Sequence, residues 1–166
     1  MHYPRPMTFE TFFLSREPVC NPVVAEVVAA GRHLGDGIRC PGTISVRYGN
    51  RMLITGQGVN LCRLEPENLV EVADYDPVRQ TVMVIGPRQP SLSTPLHWFL
   101  YRRPDVHAAV HIRGETAAPR EDHQRGYTME TVMEALRGLR YSATINLSGD
   151  RLAVGPSLEH AREALG

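Results

Sequence analysis

The sequence predicts an α/β fold in which one mostly antiparallel β-sheet is flanked by helices. Short strand patterns come in pairs across tight turns, such as Gly49-Asn50 and Ser148-Gly149-Asp150, and turns of this kind join antiparallel neighbours. Helical patterns stand between these groups of strands, which indicates that the apolar helix faces pack against the sheet. With 166 residues the chain is long enough for one domain with a real core.

The N-terminal segment differs from the rest of the chain, because Pro4, Pro6 and Pro18 interrupt it. We expect an irregular arm over residues 1–20 that packs onto the domain or onto a neighbour. No linker or internal repeat divides the remainder, which predicts a single domain over residues 21–166.

The helix predictions rest on caps and apolar spacing, and the strand predictions on alternation between turns. Asn21-Pro22 combines an N-cap residue with a proline suited to the first helical turn, and Gly35 ends this first helix. Further helices are predicted from Ser93 or Thr94 to before Pro104, from Thr128 to about Gly138, and from Ser157 to Leu165. The strands are predicted at residues 42–48, 51–55, 69–73, 80–85, 106–112, 141–147 and 151–154.

Composition excludes several classes of partner. Lys plus Arg and Asp plus Glu both number 18, so no basic surplus indicates binding to nucleic acid. No apolar run approaches the length of a membrane span, and the N-terminus lacks a signal-peptide pattern. Cys20, Cys40 and Cys62 form no CxxC pair, which is typical of reduced thiols. We expect a cytoplasmic protein without nucleic-acid or membrane partners.

The chemistry of the chain is concentrated near His111 and Arg113, which share one face of the strand predicted at 106–112 and lie about 6–7 Å apart. Two histidines at this spacing can chelate one metal ion, whereas a guanidinium stays protonated and has no lone pair to offer. His107 shares the face but lies about 13 Å from His111 along the strand, too far for a common metal. His111 is therefore either a strand histidine bonded to a neighbour or a metal ligand, and Arg113 either makes an ion pair or binds an anion.

From Gly42 to His111 the chain carries a series of motifs in a particular order. Gly42-Thr43-Ile44-Ser45-Val46-Arg47 precedes Thr55-Gly56-Gln57-Gly58, and Pro90-Ser91-Leu92-Ser93 begins a helix that ends at Arg103-Pro104-Asp105. This order resembles the class II aldolase/adducin family, which includes fuculose-phosphate aldolase and ribulose-phosphate 4-epimerase, over residues 22–160. The resemblance implies a three-layer α/β/α fold and a homo-oligomer, with the tetramer as the usual form in the family.

The resemblance also implies roles for four positions, because such enzymes hold zinc or another divalent ion with three histidines and move protons with a glutamate. His111 keeps the first metal-ligand position, whereas Arg113 and Ser148 stand where the other two histidines are expected, and Ser93 stands at the glutamate position. One imidazole cannot hold a catalytic divalent ion, and a serine hydroxyl does not replace a carboxylate base. We therefore expect a degenerate metal site, no metal cofactor and no standard catalytic residue.

The alternative is a working metal-dependent aldehyde-lyase or epimerase that acts on a small sugar phosphate. It requires zinc or another divalent metal and rearranged groups, for example Glu115 as the base or His123 from the loop after the strand. Whether the protein is an enzyme is open at this stage. If it is one, the resemblance implies a carbon–carbon lyase of the class II aldolase type.

Anion binding is the function that the remaining residues predict. Thr43 and Ser91 stand at phosphate-binding positions of the family. The resemblance implies that they converge with Arg47, Arg113 and the turn at Gly58 on a small anionic, sugar-phosphate-like ligand. Short glycine turns can present backbone amides to such an anion. The simpler alternative is that Thr43 is an ordinary strand residue, that the glycine turn only joins two strands, and that Arg47 nearby pairs with a carboxylate.

Overall fold

A computed structural model describes residues 6–34, 40–114, 127–147 and 149–166 of the chain. Its eight strands form one sheet in the order β1-β5-β4-β3-β2-β6-β8-β7. The strands are β1 Glu10–Ser15, β2 Gly42–Tyr48, β3 Arg51–Thr55, β4 Leu69–Asp76, β5 Thr81–Ile85, β6 Ala108–Ile112, β7 Thr144–Leu147 and β8 Asp150–Gly155. The α-helices among the described residues are α1 Val24–Arg32, α2 Thr94–Leu100, α3 Met129–Gly138 and α4 Leu158–Leu165.

The prediction of an α/β fold with a mostly antiparallel sheet is confirmed, and the sheet is mixed. All neighbouring strands pair antiparallel except β1, which runs parallel to β5. The strands predicted at 42–48 and 51–55 have these bounds in the structure, because the Gly49-Asn50 turn fixes both ends, with Gly49 at a φ of 61°.

The prediction of an irregular N-terminal arm is wrong for residues 10–15, which form the edge strand β1. Pro6 and Pro18 flank this strand without interrupting it, and the side chains alternate between exposed and partly buried positions. Phe13 packs with the core beside β4 and β5, whereas Phe12 faces solvent. The pairing with β5 joins residues about 70 positions apart, and local patterns carry no signal of such a contact.

Alternate residues of the central strands belong to different core clusters. Ile44 and Val110 pack with Val27 of α1 and Ala161 of α4. On the neighbouring strand positions, Ala109 packs with residues of α2 and α3, among them Leu96 and Val132. This alternation explains why β2 and β6 carry apolar residues on one face and a mixture of apolar and polar residues on the other.

Two helices begin directly after their predicted capping residues, and α1 begins later in the chain than predicted. The Thr128 side chain accepts a hydrogen bond from the Thr131 N–H, and Ser157 accepts one from the His160 N–H, as expected for N-caps. Asn21 accepts from the Val23 N–H, but α1 begins at Val24, slightly later than predicted. Gly35, the predicted end of α1, lies outside the described residues. Across the described ranges, none of the helices has the length and apolar character that crossing a membrane requires.

The pairing of β2 with β6 positions the polar residues of the site. Thr43 lies opposite His111 and Ser45 lies opposite Ala109, so their side chains share one face of the sheet. The two strands are close at Gly42, where an added Cβ would lie 2.2 Å from the His111 carbonyl oxygen. Glycine is therefore required at the point where the chain enters the site.

Candidate functional site

Three buried hydroxyl groups meet where β2 faces the start of α2. The Oγ1 of Thr43 lies 2.7 Å from the Oγ of Ser91, the Ser91 and Ser93 oxygens are 2.9 Å apart, and Ser93 donates to Thr43 at 3.1 Å. Ser91 is held in place because its N–H donates to the carbonyl of Thr55 at the end of β3. The three groups form a closed ring of hydrogen bonds, which we call the hydroxyl cluster.

Ser93 differs from its prediction. It occupies the N-cap position of α2, but its side chain makes no capping hydrogen bond. The hydroxyl turns instead toward Thr43 and Ser91. The sequence identifies a serine cap only by its position before the helix. This position does not determine which group the hydroxyl bonds to.

A cavity of about 160 Å³ adjoins the hydroxyl cluster. The residues that line it include Thr43, Gly58, Ser91 and Arg113, four of the positions predicted to contact an anion. Gly58 has a φ of 74°, a left-handed conformation that glycine adopts without strain and that turns the backbone at the edge of the cavity. The structure thus brings the four predicted residues together around one space, while their binding of an anion stays a prediction.

His111 belongs to a second buried cluster next to Thr43. Its Nε2 lies 2.7 Å from the Tyr127 hydroxyl and 3.3 Å from the Asp150 Oδ2. Tyr127 also donates a short hydrogen bond to Asp150, and the Gly114 N–H donates to the Asp150 Oδ1 at 2.9 Å. His111 and Asp150 are only 3% and 1% exposed, so the pair is shielded from water.

The environment of Asp150 favours its charged form. Burial alone would raise the pKa of the Asp150 carboxyl, but hydrogen bonds from His111, Tyr127 and Gly114 outweigh burial and hold the pKa well below its usual range. The sequence predicts a role for neither Asp150 nor Tyr127, and it indicates only a turn at Ser148-Gly149-Asp150. The available signal was a carboxylate at the first residue of β8, the strand that pairs with β6 beside His111.

His97 is completely buried next to His111. Its Nδ1 is 2.6 Å from the Ser45 hydroxyl, which is in turn 2.7 Å from the Tyr101 hydroxyl. Burial, and to a smaller extent the neighbouring His111, lowers the pKa of His97 to about 3, so the ring is neutral. The His97 and His111 rings are 6.3 Å apart, and within the described ranges the His97 Nε2 and the His111 Nδ1 have no hydrogen-bond partner.

Among the residues that the structure describes, Arg47 pairs with no carboxylate, contrary to the alternative considered for it. Its guanidinium donates to three backbone carbonyls: from Nε to Val106 at 3.0 Å, and from Nη2 to Arg103 at 2.8 Å and to Tyr101 through a short bond. These bonds fix the segment that follows α2. Arg47 is not among the residues that line the cavity beside the hydroxyl cluster.

The residues around His111 do not fit a divalent ion held by three histidines. The His111 Nε2 already faces the Tyr127 hydroxyl and the Asp150 carboxylate, and position 113 carries a cation. Over residues 6–34, 40–114, 127–147 and 149–166, no three His, Cys, Asp or Glu side chains are grouped closely enough to hold one metal. Ser148, at the third ligand position, lies outside the described residues, as do Glu115 and His123.

Comparison with known proteins agrees with this architecture. Several solved structures share the fold, at identities too low to indicate more than the fold. An L-fuculose 1-phosphate aldolase superposes with a TM-score of 0.66 and 19% identity, covering 89% of this chain and 81% of that one. The L-fuculose-1-phosphate aldolase from Thermus thermophilus has a TM-score of 0.62 and 23% identity, with 86% of each chain covered.

YgbL from Escherichia coli, described as a putative aldolase/epimerase/decarboxylase, superposes with a TM-score of 0.61 and 17% identity, over 86% of this chain and 83% of that one. No curated protein matches the chain. The family model of the class II aldolase and adducin N-terminal domain matches residues 25–119, which is more than half of the sequence. The chain therefore belongs to the class II aldolase and adducin N-terminal domain family.

Proposed function

We propose that this protein binds a small anionic, sugar-phosphate-like ligand in the cavity beside the hydroxyl cluster and does not carry out standard zinc-dependent aldol chemistry. The observation that supports the proposal most directly is the convergence of Thr43, Gly58, Ser91 and Arg113 on one small cavity. Two proteins of the same fold are named for a sugar phosphate, L-fuculose 1-phosphate. The family's three-layer α/β/α arrangement is part of the proposal, and the separate core clusters on alternate strand residues support it.

The hydroxyl cluster suits an oxyanion because its protons can be redirected. Each hydroxyl can donate one hydrogen bond and accept others. The cluster can therefore turn one O–H from Thr43 or Ser91 toward a ligand oxygen while the heavy atoms stay in place. Arg113 supplies a guanidinium at the cavity wall, and hydrogen bonds from a guanidinium to phosphate are charge-assisted and often paired.

The same geometry weighs against proton transfer by Ser93. Its hydroxyl is buried, is engaged with Thr43 and Ser91, and has no base beside it within the hydroxyl cluster. A serine near its ordinary pKa does not perform the work of a glutamate base. We therefore assign Ser93 to support of the hydroxyl cluster, and assign no catalytic residue.

The binding test uses calorimetry with L-fuculose 1-phosphate and, separately, inorganic phosphate. We expect saturable binding that Arg113→Gln weakens at least tenfold and Ser91→Ala weakens less, because the charge contributes more than one hydroxyl. Arg79→Gln is the matched control, since Arg79 is an exposed arginine on the β4–β5 turn. Equal affinity in Arg113→Gln and the control would place the ligand elsewhere and reject the proposal.

A second candidate function is a metal-dependent aldehyde-lyase or epimerase on a small sugar phosphate. The observation in its favour is the Asp150 carboxylate beside His111, because imidazole and carboxylate are both ligands of divalent metals. Elemental analysis of purified protein separates the candidates, with His111→Ala as the control. Near-stoichiometric zinc, manganese, iron or cobalt that disappears in His111→Ala would favour the enzyme, whereas metal at background in both proteins favours the ligand-binding function.

We also propose that the protein acts in the cytoplasm as a homo-oligomer, with a tetramer expected from the family. Family membership is the support for both statements. Light scattering after gel filtration tests the assembly, because a tetramer has about four times the 18.5 kDa mass of one chain. A mass of one chain at working concentration would reject it.

A further inference from the structure

A second cavity, of about 200 Å³, lies at the far end of β2, and no described residue lines both this cavity and the first one. Its walls include three arginines, Arg47, Arg51 and Arg102, together with Trp98 and Tyr101. None of the described residues that line it is acidic. We propose that this arginine cavity is a second binding site, and that it takes a small ligand with a phosphate-type oxyanion.

Positive charge accumulates in the arginine cavity because, among the described residues, a carboxylate neutralises just one of its three arginines. Arg51 forms an ion pair with Glu71, with 2.9 Å between Nη1 and Oε2. Arg47 and Arg102 make no ion pair within the part of the chain that the structure describes. Arg47 is also partly buried, where a charge is screened less by salt than it is at the surface.

Arg47 is held ready to donate to a ligand. A guanidinium carries five N–H donors, and Arg47 directs those of Nε and Nη2 to the carbonyls of Val106, Arg103 and Tyr101. The N–H groups on its Nη1 make no hydrogen bond to a described residue. Because the three backbone contacts already fix the side chain, a ligand that accepts from Nη1 loses little affinity to the ordering of Arg47.

The aromatic residues add shape and a recognition surface. Arg102 lies 5.7 Å from the centre of the Phe99 ring, a cation–π contact that favours one orientation of an otherwise exposed side chain. Arg47 makes a similar contact with Tyr101 at 5.1 Å. Trp98 is partly exposed, so the carbon skeleton of a small phosphate ester can pack on the indole while the arginines bind its charged end.

Hydrogen bonds to the segment after α2 explain the position of Arg47, but not the positions of the other two arginines. Among the described residues, the side chains of Arg51 and Arg102 contact no backbone carbonyl, so a structural role of this kind does not explain why they line the cavity. Guanidinium groups from different elements around one small space are suited to phosphate, which accepts several charge-assisted hydrogen bonds. Arg102 provides the clearest test because it lies at the surface and its replacement leaves the core intact.

Trp98 is the single tryptophan of the chain and lines the arginine cavity, so its fluorescence reports on binding there. Inorganic phosphate is titrated at constant ionic strength, with sodium chloride as the salt control and glucose 6-phosphate as a second probe. We expect a saturable change in fluorescence, with the midpoint raised at least fivefold in Arg102→Gln and also raised in Arg51→Gln. Arg79→Gln, which removes an exposed charge elsewhere, leaves the midpoint unchanged.

Arg113→Gln in the first cavity should also leave the midpoint unchanged, which separates this proposal from the function proposed above. The proposal is overturned if the fluorescence change does not saturate, if chloride reproduces it, or if Arg102→Gln titrates like the wild type. It is equally overturned if phosphate has no effect but Arg102→Gln changes the mass of the particle in light scattering. In that case the arginine cavity serves a contact between copies of the chain.

Discussion

Asp150 is the residue on which the buried cluster around His111 depends. It accepts hydrogen bonds from the buried side chains of His111 and Tyr127 and from the partly buried Gly114 N–H. We expect Asp150→Ala to lower the free energy of unfolding by about 3 kcal/mol, because it leaves buried donors unpaired. Tyr127→Phe removes one hydroxyl and should cost about 1 kcal/mol. Urea unfolding at neutral pH measures both values, and a smaller loss for Asp150→Ala than for Tyr127→Phe would contradict this ranking.

His97 should make the protein less stable in acid. Its pKa is lowered to about 3 in the folded chain, from 6.5 in a solvated histidine, because the ring is buried. As pH falls, the unfolded chain therefore takes up the proton first, so this stability is complete above pH 6.5 and is lost progressively toward pH 3. Between pH 7.5 and pH 5 the loss from His97 is about 2 kcal/mol.

Urea unfolding of the wild type and of His97→Gln at these two pH values isolates this contribution. The variant lacks a titrating ring, so its free energy of unfolding should change by about 2 kcal/mol less than that of the wild type. Asp150 does not interfere, since its lowered pKa places its own effect at more acidic pH. Equal changes in the two proteins would show that His97 is not held neutral.

At the residue scale the sequence predicted which side chains surround the first cavity but not what each contacts. Thr43 and Ser91 could be assigned because they sit within motifs of the family. The Ser93 hydroxyl turns away from its helix, and Asp150 approaches His111. Both arrangements depend on side-chain packing between elements that are far apart in sequence. Neither local spacing nor capping preference contains that information.

At the scale of elements, the pairing of β2 with β6 determines the geometry of the site, because it places Thr43 beside His111. The close approach at Gly42 leaves no room for a side chain, since a Cβ would lie 2.2 Å from the His111 carbonyl oxygen. We expect Gly42→Ala to lower the free energy of unfolding by about 3 kcal/mol through overpacking. It should also weaken ligand binding in the adjoining cavity, which Gly42 lines.

Gly49→Ala is the matched control for this strand pair. Gly49 has a φ of 61° with open space around its Cβ position, so only backbone strain of about 1 kcal/mol is expected. Chemical denaturation of both variants, followed by calorimetry with the ligand, makes the comparison. If the two glycines proved equally costly, close packing of β2 on β6 would not be the reason for glycine at position 42.

The elements themselves were largely predictable because most of them are defined locally. Thr128 and Ser157 cap their helices as the sequence indicates, and the Gly49-Asn50 turn fixes both strands beside it. The parallel strand β1 was not predictable in the same way, since its partner is β5 and no turn connects them. Prolines around it indicated an irregular arm, although they stand outside the residues that pair.

For the molecule as a whole, β1 is the element that joins the N-terminus to the sheet. It covers the edge of β5, and Phe13 and Phe9 pack against the core cluster that contains Val82 and Val84. A chain that begins at Arg16 loses both aromatic contacts, which corresponds to about 3 kcal/mol if each partly buried ring contributes about 1.5 kcal/mol. It also exposes the unpaired backbone of β5, an edge that favours association with other chains.

We therefore expect the truncated protein to unfold at lower urea concentration and to form soluble aggregates that light scattering detects. Phe12→Ser is the control, because Phe12 is 56% exposed on the same strand and its replacement should change stability by less than about 0.5 kcal/mol. If the truncated chain kept the unfolding midpoint and the particle mass of the intact protein, β1 would contribute neither to stability nor to protection of the sheet edge. If the truncated chain lost stability and aggregated while Phe12→Ser did neither, residues 10–15 would be part of the folded domain. The sheet edge would then depend on them for both stability and solubility.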